Sequence, residues 1–246
     1  MVAPRVTISD NVAQLWAKLN VAKKQVPFVT ALALTRTGQV LAQNTLPNRA
    51  REVFDRPTRF TQNAFRSTIA RKDRLVTVVY VKDFAGKGTP PSRYLRPQIK
   101  GGFRDLKRFE HALQTRGLMP KGLQAVPGPG AEIDQHGNMR ASQIIVMLSA
   151  LQAFSEVGYV ANRRAKSRGV RRADNFFVPG PASSLKPGVY QNLGQRGVVP
   201  VLLFVSPHNY RVRWEFEGDV RKAVPGIFNS QFEVAWAEVQ DRGLRP

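Results

Sequence analysis

The chain has 246 residues, room for one large domain or two small ones, and its 42% apolar content is enough for a real core. It has no cysteine, which excludes disulfides, thiol catalysis and cysteine-ligated metal. Its 38 Lys and Arg against 17 Asp and Glu leave a formal charge of +21, and self-repulsion of that size calls for a partner of opposite sign: nucleic acid, an acidic protein surface or an anionic membrane.

The opening MVAPRVTISDNVAQ has no apolar stretch of signal-peptide length. No window reaches the roughly 18 continuous apolar residues of a membrane span, so the expectation is a chain in solution or in an assembly. Ser9 and Asp10 suit the cap of a helix carrying Val12, Leu15, Trp16, Leu19 and Val26. Pro27 then suits the first residue of a second helix through Phe28, Leu32 and Leu41, which Pro47 ends or bends. Residues 1–56 are thus expected to form an N-terminal helical arm, a hairpin of helices, and residues 57–246 an α+β core.

Phe60 to Ala70 reads as another short helix, and Leu75 to Val81 as a strand. A Gly/Pro loop, Phe84 to Pro91, follows. Its Lys87-Gly88-Thr89 resembles a phosphate loop only superficially, because Gly88 separates the lysine from the threonine and the first glycine is missing. Arg104 to Thr115 reads as a helix with Leu106, Phe109, Ala112 and Leu113 inward, and Met119 to Gly130 as a loop. Asp134, His136 and Asn138 alternate in a glycine-containing loop. The two readings are a metal site and a turn in which Asp and Asn bond their own backbone, the commoner use of such residues. Ser142 to Phe154 is a helix. Asn175 to Val178 and Gly188 to Leu193 are short strands.

The last quarter carries the strongest pattern. Val198 to Val205 is almost wholly apolar, as in a strand covered on both faces, with Pro200 expected at its start or on an edge. Ser206 to Asn209 supply turn chemistry. Tyr210, Val212, Trp214 and Phe216 alternate with charged residues, the period of a half-buried strand, which Gly218 breaks. Phe228, Phe232, Ala235, Trp236 and Val239 share one stripe of a closing amphipathic helix. Together these elements predict an α+β fold, an antiparallel sheet packed by helices.

The candidate interaction residues are cationic. The densest tract is Arg163, Arg164, Lys166, Arg168, Arg171 and Arg172, a loop facing DNA or an acidic neighbour, or simply solvated. Lys100, Arg104, Lys107 and Arg108 form a second, weaker cluster. Neither has the interleaved aromatics of a single-strand binder, and no helix-turn-helix or zinc-finger pattern supports sequence readout. No catalytic or cofactor-binding residue set stands out.

The C-terminal pattern G-V-Y-x-x-x-G-x-R-G, then V-P-V-L-L-F-V, then Y-x-x-R-W-x-F-E-G resembles tail completion proteins of tailed bacteriophages, with minor tail protein Z of lambda-like phages the nearest type. The Val26-Pro27 segment opening Phe28 to Thr37 and the block Gly130 to Met139 are similar too. The likeness covers about half the chain, and residues 86–130 carry none of it. It implies a virion structural protein without an active site or cofactor. Such a protein forms a homo-oligomeric ring of six or twelve copies at the neck or tail end, between portal or adaptor and tail proteins. Genomic DNA passes through the channel, and no membrane is involved. The alternatives are a basic, non-sequence-specific nucleic-acid-binding protein and an enzyme using Asp134 or His136.

Overall fold

The computed structural model describes residues 11–86, 88–153 and 175–243. The chain divides into two compact units, residues 1–92 with 214–246, and residues 93–213. Helix and antiparallel sheet are both present, as the α+β expectation requires.

In the first unit, helix α1 (Asn11–Val40) runs unbroken through Pro27, so the expected helical hairpin is one helix. The proline withholds one N–H and crowds the Lys23 carbonyl, but the cost is local, and the turns on either side persist. A π-helical turn, Leu41–Thr45, leads into α2 (Leu46–Val53). Pro47 therefore does not end the helical run; it sits in the first turn of α2, directly after the π-helical turn that interrupts the regular bonding. A single turn, α3 (Arg59–Gln62), is capped by the Thr58 hydroxyl, which accepts from the Thr61 N–H at 3.2 Å.

The expected helix over 60–70 gives way to strand β1 (Phe65–Ser67), which pairs antiparallel with β2 (Val79–Val81). The apolar run 75–81 forms a ladder only at its end. Beyond it the Thr68 hydroxyl accepts from the Val78 N–H and the Thr77 hydroxyl donates to the Thr68 carbonyl, displacing regular pairing. This ribbon sits on α1. A Cβ at Gly38 would lie 2.8 Å from the Ser67 Cβ, and the Thr35 hydroxyl accepts the Ala70 N–H. Only glycine permits that approach.

The closing helix, here labelled α7, spans Phe216–Gly243. Its predicted stripe meets α1: Ala235 and Val239 bury against Val29, with Leu32, Phe232 and Trp236 packed around them. Arg36 grips Glu238 with two bonds of 2.9 and 2.8 Å. The alternating segment before α7 forms no ladder, because no strand lies beside it among the described residues. Its alternation still sorts Trp214 inward. That ring is 1% exposed and meets Phe54, Phe65 and Phe216 edge-on at 5.4 to 5.6 Å. Its indole N–H donates to Asp219, which also accepts from Arg49. Gly218 lies inside α7 and breaks nothing.

The second unit holds α4 (Pro91–Lys100), α5 (Arg108–Thr115), β3 (Gln124–Pro127), α6 (Ala141–Ala150), β4 (Phe176–Phe177), β5 (Gly188–Asn192) and β6 (Val198–Val205). The four strands form one antiparallel sheet in the order β3-β6-β5-β4. The middle of β6 is covered on both faces, as its apolar run predicts, and the strand lies inside the sheet, between β3 and β5. Val201 and Leu202, on opposite faces, are both buried, and the core adds Leu113, Met119, Met147, Leu148, Val189 and Phe204. Pro200 is the third residue of this strand, near its start as one of the two expected placements has it, and the strand is not an edge. It is tolerated beside a bulge, where Val189 pairs with Leu202 but Tyr190 with Pro200, and the ladder is already interrupted. The loops differ from expectation in two places. Met119 to Gly130 contains strand β3, and the Gly/Pro loop is followed at once by α4, whose N-terminal proline supplies a ready-made helical φ.

Candidate polyanion-facing surface

The tract Arg163, Arg164, Lys166, Arg168, Arg171 and Arg172 lies outside the described residues. The second basic cluster is described, and the structure takes it apart. Arg104 turns inward onto Glu110, which is fully buried; Nη2 reaches Oε1 at 2.6 Å and Nη1 reaches Oε2 at 2.8 Å. Glu110 also accepts the Lys107 N–H at the start of α5 and the Ala125 N–H of β3, while Arg104 donates to the Ala125 carbonyl. The pair thus meets both backbone groups of Ala125, as a neighbouring strand would, and blunts the sheet edge. Burial pushes the Glu110 carboxyl up, but the Arg104 fork and the two backbone N–H groups outweigh it and hold it below the usual carboxylate range. Lys107 reaches over the Phe109 ring at 5.8 Å. This part of the cluster is structural.

Lys100 belongs to a different set. On α4 the exposed positions are Arg93, Arg96 and Lys100, spaced three and four apart on one stripe. Leu95, Pro91 and Pro97 are buried and anchor the helix. Just beyond its end, Gly102 and Tyr210 exchange two backbone bonds of 3.0 and 2.9 Å, and the Arg213 N–H donates to the Gln98 carbonyl at 2.8 Å. These bonds bring the backbone of exposed Arg211 and Arg213 to the C-terminal end of the helix. Gly101, at φ +72°, makes the approach possible, since a Cβ there would meet the Tyr210 carbonyl at 3.1 Å. No Asp or Glu falls between Asp83 and Asp105, or between Asp174 and Glu215. Sequence reasoning missed this set because its halves lie more than a hundred residues apart. The i, i+3, i+7 spacing on α4 was visible, but the prolines hid the helix.

The loop of Asp134 is a turn. One Asp134 oxygen accepts the N–H groups of His136 and Asn138, both at 2.9 Å, and Ile133 bridges Met139. Those N–H bonds hold the Asp134 carboxyl below its ordinary range, the usual effect of an Asx turn. Among the described residues no group of three or more His, Asp or Glu is placed to hold a metal. A small cavity of about 280 Å³ is lined by Phe103, Arg104, Leu106, Leu123, Gln124 and Pro207, and its one cation is already engaged by Glu110.

In the first unit the β1–β2 ribbon leaves apolar surface uncovered. Ile69 is 74% exposed, and Leu75, Val76, Val78 and Tyr80 are between 41% and 49% exposed. No further strand pairs with either edge among the described residues. Comparison of the chain with family models, curated proteins and solved structures returned no match.

Proposed function

We propose that the chain is a virion structural protein of a tailed phage, acting as one subunit of a ring at the head-tail neck or tail end. Its role is to complete the tail and let DNA pass, and it is not catalytic. The observation that carries the reading is the uncovered ribbon. A two-stranded hairpin with open edges and a row of exposed aliphatic side chains is marginal by itself and prone to pair with other chains. In a closed ring each copy offers one patch to the next, so such a surface is covered in every subunit. The phage-like C-terminal pattern and the +21 charge support the same reading. Portal or adaptor and tail proteins are the expected neighbours, and assembly in the host cytoplasm precedes incorporation into the virion.

Negative-stain images of the purified chain test this. Closed rings of six or twelve copies are expected, and a field of single particles at all concentrations counts against it. A second reading, a non-sequence-specific nucleic-acid-binding protein working alone, is favoured by the basic face on α4. It predicts the same DNA affinity from a chain that never assembles.

A further inference from the structure

We infer that the face built by Arg93, Arg96 and Lys100 of α4 with Arg211 and Arg213 is a binding surface for the phosphate backbone of duplex nucleic acid. This deepens the ring reading by naming the surface that meets the genome, and it rests on that reading for its biological setting alone.

The stripe is not explained by the helix. Like charges three and four residues apart destabilise a helix. The macrodipole favours a cation at Lys100, in the last turn, but disfavours Arg93 in the first, and that turn has no acidic residue to offset it. Nor does packing explain the stripe, because Leu95, Pro91 and Pro97 do the anchoring. An external anion beside Arg93 and Arg96 offsets the unfavourable charge of that first turn.

The chemistry selects phosphate on a double helix. Four of the five residues are arginines, whose planar forks match phosphate oxygens. From Arg93 to Lys100 the stripe advances roughly 10 Å along the helix axis, at about 1.5 Å per residue. That covers about three phosphates of one strand, which follow each other every 3.4 Å or so along the duplex. No exposed position of α4 is apolar or aromatic. The helix therefore offers no platform for stacked single-stranded bases. Binding that uses phosphates alone positions the duplex without reading its sequence.

The test uses the full chain and a fluorescein-labelled duplex of random sequence, with anisotropy measured across a salt series. The triple variant Arg93→Gln, Arg96→Gln, Lys100→Gln is expected to bind at least tenfold more weakly at moderate salt. Its log-log salt slope should flatten by roughly 2 to 3, about 0.9 for each phosphate left without its cation. Arg211→Gln with Arg213→Gln should flatten it by roughly 1 to 2. The control, Arg71→Gln, Lys72→Gln, Arg74→Gln, removes as much charge from the ribbon tip and should stay within twofold of the parent. Thermal midpoints equal to the parent's show that the variants fold. Unchanged slopes in the α4 variant, or equal losses in the control, overturn the inference. So does poly-glutamate binding as tightly as the duplex and failing in the same variant, which assigns the face to an acidic protein. Rings that form but bind no DNA sink this inference and leave the ring. A chain that binds DNA through this face but stays monomeric does the reverse.

Discussion

Changing Glu110 to Gln keeps the shape of the side chain and removes its charge, so the cost isolates the buried pair with Arg104. Each carboxylate oxygen accepts two bonds: Oε1 from Arg104 and Ala125, Oε2 from Arg104 and Lys107. The amide retains one accepting oxygen and turns an NH2 toward the other two donors. Two of four bonds are lost, at roughly 1.5 to 3 kcal/mol each for bonds to a charged group. The sum, about 3 to 6 kcal/mol, overlaps the ~3 to 5 kcal/mol typical of breaking a buried ion pair. The Arg104 side chain is 16% exposed and gains some water, so the lower end, about 3 kcal/mol at pH 7, is expected. Urea unfolding followed by circular dichroism measures it.

The pH dependence has a definite sign. Glu110 has a folded pKa below its unfolded value of about 4.3. Its contribution is complete above that pH and is lost as pH falls through the lower folded value. Parent and variant should therefore differ at pH 7 and converge as the pH drops well below about 4. A gap under about 1 kcal/mol at pH 7, or a gap of constant size down to strong acid, refutes the argument.

Trp214→Ala removes the centre of the aromatic cluster and strands the Asp219 carboxylate's indole bond. A loss of about 3 to 5 kcal/mol in thermal or urea unfolding is expected. Arg36 and Glu238 are about a third exposed, so a double-mutant cycle with alanine at both sites should return a coupling of no more than about 1 kcal/mol, shrinking with added salt. Ile69→Lys on the ribbon should change the stability of the free subunit by less than about 0.5 kcal/mol while reducing the ring population seen by mass photometry. Changing Arg163, Arg164, Arg171 and Arg172 to Ser should impair genome retention or neck docking, and unchanged infectivity removes the tract from the mechanism.

What could be read from the sequence followed from locally complete signals. Val198–Val205 matches its strand because eight nearly continuous apolar residues suit only a doubly covered element. Of the predicted stripe, Phe232, Ala235, Trp236 and Val239 pack in the cluster with Val29, and Phe228 lies against Phe232. The rest depended on partners that no local pattern names. Tyr210 to Phe216 alternates, but a strand needs a neighbour, and Tyr210 finds a single bridge to Gly102. Pro27 and Pro97 look like breaks, yet both sit inside helices held by packing. Arg104 looks like its basic neighbours; only the fold shows that Glu110 claims it. The face shared by α4 and Arg211 needed the Gly102–Tyr210 contact to exist at all.

The ring is the central claim, and the native mass of the purified chain tests it most directly. A species of about 165 or 330 kDa, six or twelve times 27.5 kDa, is expected, persisting on dilution and shifting to single subunits when Ile69 is changed to Lys. A mass of 27.5 kDa at every concentration, unaltered by that substitution, contradicts it.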